Sequence, residues 1–129
     1  MTISRLKKKV WKVFSQYIRK RNADKNGYTY CVTCKRKKFW KELQAGHFIP
    51  GRHNIILFDE RLVHPQCYHC NCFLFGNPRE YDKFMRKKYG DEKVAEFDKL
   101  GKYRGNIKQF TVEELNKLYD NYSKKLKQL

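Results

Sequence analysis

Two Cys-x-x-Cys pairs, Cys31-Val-Thr-Cys34 and Cys67-Tyr-His-Cys70, frame the part of this chain that could do chemistry. Four thiolates in two such pairs fit a tetrahedral zinc site of the kind that staples small folds. The ion would join two distant pieces of chain. One carries His47, in Gln44-Ala-Gly-His47-Phe-Ile-Pro50, and the other carries Asn71, directly after Cys70. An imidazole and an amide oxygen set side by side suggest phosphodiester hydrolysis. Neutral imidazole can take a proton from water. A divalent cation, Mg²⁺ or Mn²⁺, held by the amide would stabilise the developing charge and the leaving oxygen. The plainer reading keeps the zinc structural, His47 as a packed or exposed residue and Asn71 as a helix cap. Cys72 lies outside both pairs and is expected to be a buried small residue or a spare thiol, because a tetrahedral site has no place for a fifth ligand.

The elements that must position these residues are readable in outline. Ile3, Leu6, Val10, Val13 and Tyr17 recur every three or four positions, with Phe14 and Ile18 widening the stripe, so residues 3–21 read as an amphipathic helix. Its other face carries Lys7, Lys8, Lys9, Lys12, Arg19, Lys20 and Arg21. Asn26-Gly27 marks a turn. Tyr28 to Cys31 is a short strand into the first cysteine knuckle, whose backbone amides should point at the thiolates, and Lys35-Arg36-Lys37-Lys38 is a basic turn or loop. Leu43 to Ile49 reads as a strand ended by Pro50-Gly51, and Asn54 to Phe58 as an apolar stretch bordered by loops. A short helix should begin near Cys70-Asn71 and stop before Gly76. Asn77-Pro78-Arg-Glu80 is a helix start, with an Asn cap and Pro at the first position, and Gly90 ends that helix. Asp91 to Leu100 is a further helix. Thr111-Val-Glu-Glu114 is a capping box, with Phe110 and Leu115 spaced as a hydrophobic staple, and opens the last helix. The organisation is therefore a single α+β domain over 1–129: a basic N-terminal helix (1–27), a zinc-stapled core (28–77) and C-terminal helices (78–129).

Thirty Lys and Arg against thirteen Asp and Glu leave a net charge of +17 over 129 residues. Positive charge this dense predicts a polyanionic partner and steeply salt-dependent binding. The basic residues are spread along the chain, which disfavours a membrane surface, and no apolar run is long enough to span a bilayer. Met1 leads into Thr-Ile-Ser-Arg-Leu-Lys-Lys-Lys without an apolar h-region, so no secretory signal is expected. A cytoplasmic protein follows, and in the cytosol clustered cysteines bind metal more often than they oxidise.

A strand bearing His, a return strand and a helix opening with Asn at a zinc knuckle resemble, in that order, the ββα-metal (His-Me finger, HNH-like) nuclease core. The chain also resembles the lambdoid phage NinG (Rap) recombination proteins. That resemblance is carried by Cys31-x-x-Cys34, Leu43-Gln-Ala-Gly-His47-Phe48, Leu57-Phe-Asp-Glu-Arg61, Val63-His-Pro-Gln-Cys67-x-x-Cys70-Asn71, Gly76-Asn77 and Tyr81, over residues 30 to 100. It is similar, more distantly, to HNH nucleases and to phage junction resolvases of the endonuclease VII type. The resemblance implies a structure-specific endonuclease acting on branched DNA, Holliday junctions and D-loops among it, in the cytoplasm of the host cell. It implies His47 as general base, Asn71 as the ligand of a catalytic Mg²⁺ or Mn²⁺, and Cys31, Cys34, Cys67 and Cys70 as ligands of a structural Zn²⁺. The sequence departs from the pattern at Gly46, where HNH enzymes carry a metal ligand, and at Leu62, where they carry the middle Asn. Asp59, Glu60, His53 and His64 are candidate supplements to the ligand set. Arg52 and Arg61, with Lys35, Arg36, Lys37 and Lys38, are candidate DNA contacts. Cutting two strands of a junction suggests a homodimer. A zinc-stapled protein that binds branched or single-stranded DNA without cutting it is the alternative, as is a zinc protein that binds RNA.

Overall fold

A computed structural model describes residues 1–102 and 108–129. The chain runs through helix α1 (Ile3–Lys20), strands β1 (Tyr28–Tyr30) and β2 (Lys37–Phe39), strand β3 (Gln44–His47), a one-turn helix α2 (Asn54–Leu57) and strand β4 (Val63–Gln66). A π-helical segment over His69–Phe73 follows, and then helices α3 (Pro78–Tyr89), α4 (Asp91–Lys102) and α5 (Val112–Lys127). This is an α+β architecture: two two-stranded antiparallel ribbons, β1–β2 and β3–β4, with helices flanking them at both termini.

The β3–β4 ribbon is the central layer. Its register sets Gln44 opposite Gln66, Gly46 opposite His64 and His47 opposite Val63. Side chains alternate faces along a strand, so Ala45, His47 and Val63 point one way, and Gln44, Gly46, His64 and Gln66 the other. The first face is covered by α1, which packs on both strands and on α5. Leu6, Val10, Phe14 and Ile18, spaced every four residues, form the buried line of α1 and meet Ala45, Val63, Leu115 and Tyr122 in one core. The sequence stripe included Ile3, but that residue is exposed and the buried line begins a turn later. The second face is covered by α3 and α4, where Tyr81, Met85, Val94 and Phe97 join Ile49, Ile56 and Leu62. Tyr81 Oη donates to the Gly46 carbonyl at 2.6 Å, tying α3 to β3 at the middle of the ribbon.

Several elements are shorter than, or different from, the pattern reading. The strand expected over 43–49 is only Gln44–His47, and Asn54 to Leu57 forms a helical turn. Lys37 and Lys38, expected in a turn with Lys35 and Arg36, stand in β2, and the turn is confined to the residues before them. Asn77 occupies the cap position of α3 in a left-handed conformation, φ 48°, and makes no capping bond. Its Nδ2 reaches back to Cys70 Sγ at 3.6 Å, because the knuckle competes for the same amide. Thr111 does cap α5, accepting from Glu114 N at 3.1 Å. The Glu114 carboxylate accepts from Lys108 Nζ at 2.9 Å.

Candidate metal centre and the imidazole beside it

The four cysteine sulfurs converge. Cys31, Cys34, Cys67 and Cys70 offer Sγ atoms that all lie within 4.8 Å of one another, and Cys34 Sγ lies 3.7 Å from Cys67 Sγ. Sulfurs at the usual Zn–S distance in a tetrahedron stand about 3.8 Å apart, so this cluster can hold a metal ion such as zinc. The knuckle amides point inward: Cys34 N donates to Cys31 Sγ at 3.5 Å and Cys70 N to Cys67 Sγ at 3.4 Å. Burial would raise the Cys31 thiol, but bonds from Thr33 and from the backbone of Cys34 outweigh it and hold the group at about 6. Burial pushes the Cys34 thiol up to about 12 and raises Cys70 as well, so without an ion the cluster favours a thiolate at Cys31 alone, and a metal binding there would displace protons from its partners. Cys72 is a spare thiol outside the cluster, but it is exposed where the sequence suggested it could be buried, and it donates to Gln44 Oε1 at 3.2 Å. The π-helical segment that carries it, with the residues flanking it, leaves Tyr68, Phe73 and Phe75 exposed.

His47 ends β3 on the α1 face. Its ring stacks on Trp11, with centroids 5.3 Å apart and planes at 15°. Its Nε2 lies 3.1 Å from the Leu57 carbonyl oxygen. A carbonyl only accepts, so Nε2 carries the proton and Nδ1 is left as the acceptor in the neutral ring. Burial lowers the pKa of His47 below the ordinary imidazole value; the Leu57 bond opposes the shift and nearby Arg52 adds to it. The guanidinium of Arg52 lies over Trp11, the stacking partner of this ring, 4.3 Å from its centroid. A groove of about 620 Å³ opens beside them, lined by Lys7, Lys8, Trp11, Arg52, Leu57 and Phe110 among others.

Asn71 sits in the π-helical segment on the opposite face of the ribbon. Its Nδ2 donates to Gln44 Oε1 at 2.7 Å, and its Oδ1 is directed at Gly46: a Cβ built on that glycine would lie 3.0 Å from it. The structure thus brings Asn71 to the residue before His47, but the two side chains do not stand side by side. The two-residue period of β3 puts them on opposite faces.

The other sequence candidates are engaged elsewhere. Asp59 accepts two bonds from the Arg61 guanidinium, at 2.9 and 2.7 Å, so Arg61 spends its fork on a neighbour. Glu60 accepts from Tyr122 Oη and Lys125 Nζ, both at 2.8 Å. His64 is 2 % exposed and sits between Arg21 and the Arg61 carbonyl. Burial, reinforced by Arg21, pushes its pKa down to about 3, which leaves it neutral. The His53 ring lies against Gly51. Lys35 Nζ donates back to the Val32 carbonyl at 2.7 Å, and Lys37 pairs with Asp24 at 3.9 Å. Arg36 and Lys38 lie at the turn and on the short β1–β2 ribbon.

Trp11, the Leu57 carbonyl, Gln44 and Gln66 were not singled out by the sequence. Only Gln66 left a signal, as a polar residue in a stretch that must be buried beside a metal knuckle.

The family model described as the bacteriophage lambda NinG protein matches residues 2–129. Curated relatives include the protein ninG of Escherichia phage 933W and that of Enterobacteria phage VT2-Sa, each 29% identical over 123 residues. The alignment covers 95% of this chain and 57% of each relative, so the chain spans little more than half their length. No solved structure matches. Among the described residues no helix is long and apolar enough to cross a membrane.

Proposed function

The chain belongs to the bacteriophage lambda NinG family, and from that premise we propose that it is a metal-dependent endonuclease that cuts branched DNA during phage recombination, with Holliday junctions and D-loops as substrates. The observation that carries this reading is the state of His47: a neutral ring, fixed by Leu57 and Trp11, that keeps Nδ1 available as a base. A second support is the order β3, β4 and helical segment around the cysteine cluster, which is the order of a ββα-metal core.

In this mechanism His47 Nδ1 takes the proton of a water aligned on the scissile phosphorus. Asn71 Oδ1, beside Gly46 on the other face of β3, would hold Mg²⁺ or Mn²⁺. That ion would supply charge stabilisation to the phosphate and to the leaving 3′ oxygen. Lys7, Lys8 and Arg52 line the groove next to the imidazole and receive the phosphates on either side. The cysteine cluster would hold Zn²⁺ and so fix the segment that carries Asn71. A homodimer would present two such sites to the two strands of a junction.

The test is cleavage of a labelled four-way junction in Mg²⁺ and in Mn²⁺ by the zinc-loaded chain. Products should appear with wild type, vanish with His47→Ala and with Asn71→Ala, and binding should survive both changes. Unimpaired cutting by His47→Ala would remove the proposed base. A scattering mass equal to the junction plus a single 15.7 kDa chain would remove the dimer. A second reading, a zinc-stapled binder of branched DNA without catalysis, is favoured by the missing side chain at Gly46 and by the opposite facing of His47 and Asn71. Binding with no product in any divalent metal would establish it.

A further inference from the structure

Four of the ten large apolar side chains that are exposed among the described residues crowd into the eight positions from Tyr68 to Phe75. Tyr68 is 63 % exposed, Phe73 71 % and Phe75 90 %, with Leu74 between the two phenylalanines. The backbone that presents them is not slack. Leu74 N donates to the His69 carbonyl, Gly76 N to the Cys70 carbonyl and Asn77 N to the Leu74 carbonyl, each at 2.9 Å. The fully buried Gln66 donates from Nε2 to the Gly76 carbonyl at 2.8 Å, and Asn77 Nδ2 reaches Cys70 Sγ. This clamp holds three successive residues in the left-handed region, Phe75 at φ 52°, Gly76 at 91° and Asn77 at 48°. A bulky residue such as Phe75 is an outlier there, and strain of this kind collects where a segment has a task beyond folding. The fold thus fixes aromatic rings in solvent that its own core does not use. Two of the rings are already stacked: His69 and Phe73, both exposed, lie with centroids 5.5 Å apart and planes at 17°.

We propose that Tyr68, Phe73 and Phe75 form a stacking platform for unpaired DNA bases, the bases a branch point splays out of the duplex. Flat faces that are preformed and rigid suit planar ligands, and every base has such a face. The charge around the platform suits a polyanion. No acidic residue occurs between Glu60 and Glu80, and Arg79 is exposed just past the clamp. The first cysteine knuckle, which meets the second through Cys34 and Cys67 at 3.7 Å, carries the exposed Lys35 and Arg36. A second copy of the chain is a poorer occupant, because two surfaces of a +17 protein repel. A lipid surface would not call for a stacked pair of rings. The inference rests on the branched-DNA part of the reading above and not on cleavage. It adds that unpaired bases are held two to four residues beyond Asn71, at the knuckle rather than in the groove beside His47.

The experiment compares two labelled DNAs of equal length, one fully paired and one with an unpaired stretch at a fork, by fluorescence anisotropy. The full zinc-loaded chain is used without added divalent metal, so binding is read apart from cutting. Wild type prefers the forked DNA. Phe73→Ala and Phe75→Gly each lower affinity for it by on the order of tenfold, the scale of one lost base stack, and leave paired DNA unchanged. Phe73→Trp restores the preference. Phe75→Gly also removes the left-handed strain, so its urea midpoint is no lower than that of wild type, whereas a merely structural Phe75 would lower it. Should a variant fail to fold, wild type still decides: 5-iododeoxyuridine at the unpaired position, irradiated in the complex, must crosslink to Tyr68, Phe73 or Phe75. Crosslinks confined to other residues overturn the proposal, as does an equal loss for both DNAs or no preference in wild type. Self-association of the free chain that Phe73→Ala abolishes assigns the face to a second copy, and tighter binding of RNA of the same sequence assigns it to RNA; both overturn it. Junction cleavage measured in parallel separates the two ideas. Stacking without products in any divalent metal refutes the nuclease and leaves the platform, whereas cutting with no preference for unpaired DNA does the reverse.

Discussion

Gly46→Ala should destabilise this protein out of proportion to one methyl group. The new Cβ would overlap Gln66 Oε1, sit 2.8 Å from Gln66 Cδ and come within 3.0 Å of Asn71 Oδ1. Gln66 has nowhere to go: it is fully buried and held by Gly76 and Thr33. Moving it breaks two hydrogen bonds worth about 1 kcal/mol each, and overpacking a filled interior adds about 1–3 kcal/mol. Alanine returns up to about 1 kcal/mol through its smaller backbone entropy loss. The net cost is about 2–4 kcal/mol, a large fraction of the roughly 5–15 kcal/mol of a typical domain. The assay is urea unfolding followed by circular dichroism at saturating zinc, run as a double-mutant cycle with Gln66→Ala. Removing the glutamine side chain vacates the space that the new methyl group needs, so the double variant should be more stable than the sum of the singles by about 2 kcal/mol or more. A Gly46→Ala protein within about 0.5 kcal/mol of wild type, or strictly additive singles, would refute the claim that Gln66 is locked against Gly46, because contact without coupling is not expected at this separation.

Four further outcomes follow from the same geometry. Chelation, or Cys34→Ser, should unfold the chain, since a structural zinc contributes about 10–16 kcal/mol; elemental analysis should find one zinc per chain in the folded form and the circular dichroism should collapse without it. His47 should titrate below the ordinary imidazole value, so cleavage falls as pH drops through that lowered pKa and is insensitive above it. Trp11→Ala, by admitting water, should move the value up in an NMR titration. His64 stays neutral in the fold to about 3, while in the unfolded chain it protonates from about 6.5 downwards. Stability should therefore decline on acidification below about pH 6.5 by up to about 1.4 kcal/mol per unit, and His64→Gln should flatten that slope where zinc remains bound. Finally, charge reversal at Lys8 or Arg52 should weaken junction binding across sequences and lower the slope of log affinity against log salt by about 1 for each phosphate no longer neutralised.

How much of this was legible beforehand varies with the range of the interaction. The cysteine cluster was readable, because metal ligands must recur in paired spacings whatever surrounds them. The amphipathic line of α1 and the Thr111 cap of α5 were readable for the same reason, since both rest on contacts within a few residues. The extent of β3 was overestimated, because strand ends depend on where a partner stops, and β4 begins only at Val63. Asp59, Glu60 and His64 looked available in the sequence and are not. Glu60 is held by Tyr122 on α5 and His64 by Arg21 at the end of α1, partners far away in the sequence, whereas Asp59 is taken by Arg61 two residues on, through a local turn that the pattern reading did not weigh.

From its order of residues alone this chain specified a four-sulfur cluster, a basic surface, flanking helices and a histidine one residue beyond a glycine. Only the tertiary structure decided how that histidine and that glycine are held. Stacking on Trp11 and the bond to Leu57 come from elements distant along the chain, and they settle which imidazole nitrogen is free. The register of β3 against β4 sends Gln66 to the same face as Gly46 and His47 to the other. A shift of one residue in that pairing would exchange the faces. The tautomer and the bare oxygen of Gln66 packed against Gly46 are properties of how strands pair and helices cover them, which no spacing of letters contains.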